Sequence, residues 1–234
     1  MNWQVLRSYA YAPYSEKASC CLIRGKSGIL YPGVRIENIS YPLTITAEQA
    51  AVTSCLSESD IPVELIYPQP PGNHSQFWMT EFDLKVFVNE DFPKGNHFDP
   101  VKKTTVNRKY HLDQLKNQAV TPNSSFPVSV LLFCDKGMIE GVNVEFSDWP
   151  HGLCAERVAI AKALSAGVQT FKKLSIYVCK SEFASPCGGC RQVISEWMNH
   201  QIIELFHGNG TFSSYPAKEF LPYGFRTSSL RKKI

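Results

Sequence analysis

The 234-residue chain repeats itself, and that constrains its fold more than any other feature. Setting Pro13 against Pro122 also brings Ser15 onto Ser124 and Gly28 onto Gly137. After one residue is dropped before Gly33, Gly33-Val34 falls on Gly141-Val142, Glu37 on Glu145 and Pro42 on Pro150. The pairing continues through Ala47-Glu48 on Ala155-Glu156 to Leu56-Ser57 on Leu164-Ser165. An ordered series of identities with one indel is the mark of two copies of a single structural unit. The expected division is residues 1–105 and 106–234.

Both copies carry the same coarse pattern. A short amphipathic helix comes first (Trp3–Tyr9; His111–Ala119), with a proline a few residues on. Two strands divided by a glycine turn follow, Ser19–Ile23 and Ile29–Ile36 in one copy, Pro127–Cys134 and Met138–Val144 in the other. An alanine-rich helix (Ala47–Leu56; Cys154–Ser165) leads to a β-branched strand (Val63–Tyr67; Leu174–Cys179). The second copy goes on to a helix over Cys187–Asn199 and a strand over Ile202–Phe206. Helices alternating with strands predict an α/β fold, a helix-covered sheet in each copy. Asp91–Asn107, polar and broken by Pro93, Gly95 and Pro100, reads as the linker, and Pro68–Gly72 as a loop inside the first copy.

Charge and hydropathy exclude several classes of function. With 24 Lys and Arg against 21 Asp and Glu, the net charge of +3 is too small for a nucleic-acid surface. The basic clusters Lys102-Lys103 and Arg231-Lys232-Lys233 read as short solvated runs. No apolar run approaches the ~18 residues of a membrane span, and the first residues lack a secretory signal pattern. A cytoplasmic setting is therefore expected, in which the eight cysteines bind metal or act chemically rather than pair as disulfides.

The chemistry is confined to the second copy. Pro186-Cys187-Gly188-Gly189-Cys190 opens one helix and Cys154-Ala155-Glu156 another. A CxxC turn into a helix points two sulfurs the same way, which suits structural zinc, a redox dithiol or neither. A third cysteine at a second helix start, two residues before a glutamate, favours metal. Three sulfurs leave the fourth tetrahedral position open, as in catalytic zinc sites. His151 is the one candidate fourth ligand, with a structural role as its alternative, while His97, His200 and His207 read as surface or satisfied histidines. In the first copy Thr46 stands where Cys154 stands, no cysteine falls within Pro68–Ser75, and Glu48 persists with no metal to serve. Cys20, Cys21 and Cys55 read as small buried hydrophobes.

Cys154-x-Glu156 with Pro186-Cys187-x-x-Cys190 resembles the zinc-dependent cytidine deaminase family, in which the glutamate is not a ligand. The resemblance covers residues 111–228 with specific motifs and the first copy more faintly. It implies a three-layer α/β/α fold in two tandem copies, the first degenerate. It implies one Zn2+ per chain on Cys154, Cys187 and Cys190, with Glu156 as the catalytic residue. Asn143-x-Glu145 is similar to the motif that holds the ribose, Phe126 to the aromatic that packs on the pyrimidine, and Ala155 sits within the catalytic motif as a further substrate contact. Leu221-Pro222-x-x-Phe225 is similar to the C-terminal segment whose Phe reaches a neighbouring subunit's site. Two departures stand out. Phe146-Ser147-Asp148-Trp149 replaces the family's usual small-residue continuation, and the active copy follows the degenerate one rather than preceding it.

The implied reaction is hydrolysis of cytidine or deoxycytidine to uridine or deoxyuridine and ammonia, for pyrimidine salvage. Zinc activates water, although three thiolates blunt the effect. Two compensations are legible. Both ligand sets lie at helix starts, equivalent to about +0.5 charge, and Arg157 resembles the arginine that hydrogen-bonds the sulfurs. Glu156 takes the water proton, delivers it to N3 and later protonates the departing amine. The expected partner is a small nucleoside, with neither nucleic acid nor membrane, and the expected assembly is a homodimer whose fused copies complete a four-unit core. The alternatives are deamination of another aminated heterocycle, such as a nucleoside antibiotic or a nucleic-acid cytosine, and an inactive zinc module.

Overall fold

A computed structural model describes residues 1–71 and 75–225. The first copy contributes α1 (Trp3–Ser8), β1 (Cys20–Gly25), β2 (Leu30–Val34), α2 (Ala47–Ser57), β3 (Pro62–Tyr67), α3 (Gln76–Phe82) and β4 (Lys85–Val88). The second contributes α4 (Arg108–Leu115), β5 (Val128–Cys134), β6 (Gly137–Val142), α5 (Ala155–Ser165), β7 (Phe171–Val178), α6 (Gly188–Trp197), β8 (Ile202–His207) and β9 (Phe212–Pro216). The strands form two mixed sheets, β2-β1-β3-β4 and β6-β5-β7-β8-β9. In each, the first three strands are antiparallel and the fourth is parallel to the third, joined by a crossover helix, α3 or α6. Register repeats as well. Leu22 lies between Pro32 and Ile66, as Leu131 lies between Glu140 and Ser175.

Two central helices hold the sheets together. α2 and α5 pack on each other, and α5 also reaches β2 of the other copy. Every residue of α5 but Arg157 is buried, and every residue of α2 but Leu56. Small side chains on all faces, rather than one apolar stripe, suit helices enclosed on every side. Close approach is secured by paired glycines. A Cβ at Gly33 would lie 2.1 Å from the Ala47 carbonyl oxygen, and one at Gly141 would lie 2.4 Å from that of Ala155. One continuous hydrophobic cluster includes Leu22, Ala51 and Trp78 from the first copy with Phe146, Ala159 and Leu174 from the second. On the far face of the second sheet α4 covers Leu131, Met138 and Tyr177, completing helix, sheet and helix layers there.

The linker is the main correction to the sequence reading. Residues 91–107 are polar but not free. Leu30 donates to Asn96 and accepts from Phe98, while Lys102 and Met138 exchange backbone hydrogen bonds. The segment thus caps the open edges of β2 and β6 in turn, satisfying groups that would otherwise face solvent. Phe92, Phe98 and Val101 pack on the core as it passes. Three elements were not expected: α3, β4 and β9. The buried side chain of α3 is Trp78, and that helix has no side-chain cap. Its stability comes from packing on the other copy, which a local pattern does not reveal. β4 is short and mostly exposed, and β9 exposes Phe212, so neither shows clean alternation. Among the described residues no helix is long and apolar enough to cross a membrane. The basic cluster Arg231-Lys232-Lys233 lies outside the described residues.

A buried charge network closes the side opposite the thiols. Glu140 on β6, 4% exposed, accepts from Lys102 Nζ and His111 Nε2. Lys162 of α5 donates to the Glu140 carbonyl at 3.1 Å and to the Glu58 carboxylate of the first copy. The Lys102-Lys103 run is therefore not wholly solvated.

Candidate active site

Cys154 and Cys187 cap α5 and α6 in extended conformation, just ahead of the first helical turn. Both positions stand at helix starts; the Cys187 sulfur takes the place of a capping oxygen, whereas Cys154 makes no capping hydrogen bond. At the matching position of α2 the Thr46 hydroxyl accepts from Gln49 N at 3.1 Å, and the Cys187 sulfur accepts from Cys190 N at 3.4 Å. The Cys154 and Cys187 sulfurs are 3.8 Å apart, and all three, with Cys190, lie within 4.8 Å of one another. Hydrogen bonds from the Cys154 and Cys190 thiols, then from backbone N–H groups, hold Cys187 well below the ordinary thiol range. The same sharing pushes the other two thiols up.

Glu156, in the first turn of α5, is 4% exposed. Burial is the largest effect on its carboxyl, which is pushed up to about 7, and the charge of Cys187 adds to it. A carboxyl that titrates near neutrality can both take and give a proton under ordinary conditions. Beside it opens a cavity of about 330 Å³, with Cys154 and Cys187 at its floor. Phe126, Asn143, Glu145, Trp149 and Phe183 line its walls, with Ile176 and Val178 supplying further apolar surface.

Most of the residues singled out in the sequence meet here; Ala155, Phe225, Arg157 and His151 do not. Asn143 bridges the strand start, accepting from Val128 N at 2.8 Å and donating to Phe126 O at 3.0 Å, which leaves one donor and one acceptor site free. Glu145 accepts from Asn123 N and Ser124 N, both at 3.0 Å, and from the Ser124 hydroxyl. Glu37 binds Tyr14 N, Ser15 N and the Ser15 hydroxyl in the same way, so this carboxylate has a loop-holding role in both copies. Ala155 is fully buried and its side chain does not line the cavity. Phe225 is 50% exposed and sits beside α6, its carbonyl accepting from Gln192 Nε2. Arg157 Nη2 donates to Leu43 O at 3.0 Å, its buried Nε has no partner, and none of its hydrogen bonds goes to a sulfur.

His151 lies outside the sulfur cluster. Its Nδ1 bonds Asp148 at 2.8 Å and its ring stacks on Phe77. His97 bonds Pro93 O, and His207 bonds Ala184 N and Ser213. Of Phe146-Ser147-Asp148-Trp149 only Trp149 lines the cavity, because Phe146 turns away into the first copy. Phe183, in the loop between β7 and α6, was not singled out from the sequence; a lone exposed aromatic gives no local signal. Cys20, Cys21 and Cys55 are buried and unpaired. The matching recess of the first copy, about 130 Å³, is lined by Arg7, Arg35, Thr46 and Glu48, with Tyr67 donating to Glu48 at 2.9 Å.

Residues 106–204 match the family profile described as the cytidine and deoxycytidylate deaminase zinc-binding region. The cytidine deaminase of Sporosarcina psychrophila is 38% identical over 117 residues, spanning 49% of this chain and 86% of that protein. That of Mycoplasma genitalium is 34% identical over 129 residues, spanning 53% of this chain and 98% of that protein. The chain belongs to the cytidine deaminase family. A crystal structure of the Burkholderia pseudomallei cytidine deaminase matches 52% of this chain and all of that one, at 28% identity and a TM-score of 0.48.

The donor set suits the metal that the family profile names. Three soft thiolates, with no fourth side-chain ligand beside them among the described residues, are the arrangement zinc takes when one position is left for water or substrate. Cys154, Cys187 and Glu156 all line the cavity.

Proposed function

We propose that this chain deaminates cytidine and deoxycytidine hydrolytically, giving the uracil nucleosides and ammonia. The observation that carries the reading is the juxtaposition of the buried Glu156 carboxyl with three converging thiols, two of which, Cys154 and Cys187, line a mostly apolar cavity. Cys154, Cys187 and Cys190 would hold one zinc, which supplies activated water when bound. Glu156 moves the proton, first to N3 of the pyrimidine and then to the departing amine. Phe126 and Val178 offer apolar faces to the base, and the free donor and acceptor of Asn143 face the sugar. The remaining lone pair of Glu145 accepts from a second sugar hydroxyl. Arg157 acts as a nearby positive charge, opposing the negative charge of the sulfurs.

Residues 1–105 and 106–234 are read as a tandem duplication whose first copy has lost the thiols and keeps a structural role. Two chains would form a homodimer, with Phe225 directed to the partner. The role fits pyrimidine salvage in the cytoplasm. The deciding experiment is metal analysis of the purified chain, run beside an absorbance assay with cytidine, deoxycytidine and cytosine. One zinc per chain with turnover of the nucleosides supports the reading; two zincs, none, or no turnover by the zinc-loaded chain overturns it.

A further inference from the structure

Glu81 and Glu196 hold matching places in the two copies. Each lies in the last turn of the crossover helix, α3 or α6, and each precedes an aromatic residue, Phe82 or Trp197. Each reaches into the other copy. Glu196 accepts from Ile39 N at 3.0 Å, Asn38 Nδ2 at 2.6 Å, and the hydroxyls of Tyr11 and Tyr14 at 3.1 and 2.7 Å. Glu81 accepts from Ser147 N at 3.0 Å and from the Ser147 hydroxyl. Since Ile39 pairs with Ser147 in the repeat, this is one clamp made twice, in opposite directions.

The two clamps hold segments of different consequence. The stretch at Asn38–Ile39 belongs to the copy that lacks the three-cysteine cluster. The stretch 143–149 supplies Asn143, Glu145 and Trp149 to the cavity. Between these residues, Phe146 packs edge-on against Phe77, Trp78 and Phe82 of α3, with ring centroids 6.3, 5.0 and 5.9 Å away. α3 therefore grips two consecutive residues, Phe146 and Ser147, in the segment between Glu145 and Trp149 of the cavity wall, one through packing and one through a carboxylate. Glu81 touches neither the sulfurs nor Glu156, and Ser147 does not line the cavity, so its leverage is on binding rather than on proton transfer.

We propose that Glu81, in the copy without the three-cysteine cluster, is a positioning residue for the cavity of the other copy: by holding Ser147 it fixes the wall that meets the nucleoside. This rests on the nucleoside reading above. It also gives the first copy a defined task at the site, beyond bulk support.

The test compares wild type with Glu81→Ala, Glu81→Gln and Ser147→Ala in the full zinc-loaded chain. Steady-state kinetics, zinc content and nucleoside affinity from intrinsic tryptophan fluorescence are measured for each. Loss of a charge-assisted hydrogen bond should weaken binding about tenfold. Glu81→Ala is expected to raise KM and Kd together by that factor, with kcat and zinc unchanged. Glu81→Gln keeps an acceptor for Ser147 N and should recover most of the loss, and Ser147→Ala, which keeps the backbone N–H, should lie between. Unchanged affinity in Glu81→Ala, or a fall confined to zinc content or thermal stability, overturns the positioning role. If Glu81→Ala does not fold, Ser147→Ala with wild-type KM overturns it instead. Wild-type protein that binds no nucleoside overturns both this role and the function on which it rests.

Discussion

Gln49 and Arg157 make the same contact in opposite directions: Gln49 Nε2 donates to His151 O at 2.8 Å, and Arg157 Nη2 to Leu43 O at 3.0 Å. Each follows a buried glutamate, Glu48 or Glu156, in the first turn of a central helix. The frames around the two glutamates are thus alike, and what separates them is the thiols. Glu156→Gln is expected to keep its zinc and its fold while losing roughly 10²–10⁴-fold in kcat, or more, since one group serves several proton transfers. Glu48→Gln should leave kcat within twofold or so of wild type. Comparable losses in the two variants would place chemistry in both copies.

Substrate choice should follow the sugar. A site built to hydrogen-bond hydroxyls penalises a ligand that lacks them, so cytosine should turn over far more slowly than cytidine. Glu145→Ala should raise KM for the nucleoside, through the lost sugar contact and through release of Ser124 and the Phe126 wall it anchors. Equal kcat/KM for base and nucleoside would refute the assignment of Asn143 and Glu145.

Packing of the central helices gives a stability prediction. A Cβ at Gly141 would also lie 2.9 Å from Ala159 Cβ, and the obstruction at Ala155 is backbone that cannot step aside. Gly141→Ala should therefore cost about 1–3 kcal/mol in chemical denaturation. It should also lower activity, because the displaced helix carries Glu156. Gly33→Ala should cost a similar amount of stability with less effect on kcat. Unaltered denaturation midpoints would show that the helices have room that these distances deny.

The Glu140 network sets an acid limit. Burial alone would raise this carboxyl, but hydrogen bonds from Lys102 and His111 outweigh it and hold the group below its ordinary 4.5. A depressed carboxylate contributes stability that is complete above the ordinary value and lost as pH falls through the lowered folded value. Glu140→Gln should be less stable than wild type at pH 7, with the gap closing as pH drops below 4.5. A gap independent of pH would mean that the side chain acts by shape and not by charge.

Light scattering tests assembly. Two chains of 26.3 kDa should travel together at about twice that mass. A fully active monomer at nanomolar concentration would remove any need for a shared site.

The thiol motif and the central helices were readable because their signals are local. Cys154, Cys187 and Cys190 stand at or near helix starts with fixed spacing, and Ala47, Glu48, Ala51, Leu56 and Ser57 of α2 recur as Ala155, Glu156, Ala159, Leu164 and Ser165 of α5. α3 was not readable, because what holds it is Phe146, more than sixty residues away in the chain. Separation along the chain, 66 and 157 residues, also hides the Glu81–Ser147 and Glu196–Ile39 clamps, since neither partner is unusual where it stands. Glu145 was read for its ligand chemistry alone. Its duty to the loop at Ser124 emerges only when Glu37 is seen doing the same work beside a recess with no metal ligands.

The continuous core through α2 and α5 makes the halves mutually dependent in an asymmetric way. The half without the cysteine cluster keeps the same scaffold, whereas losing that half would bare Phe146 and the side of α5 that meets α2 and β2. Joined end to end, the two halves are made in equal number and meet without searching, so the half without the cysteine cluster can serve as a brace for the other.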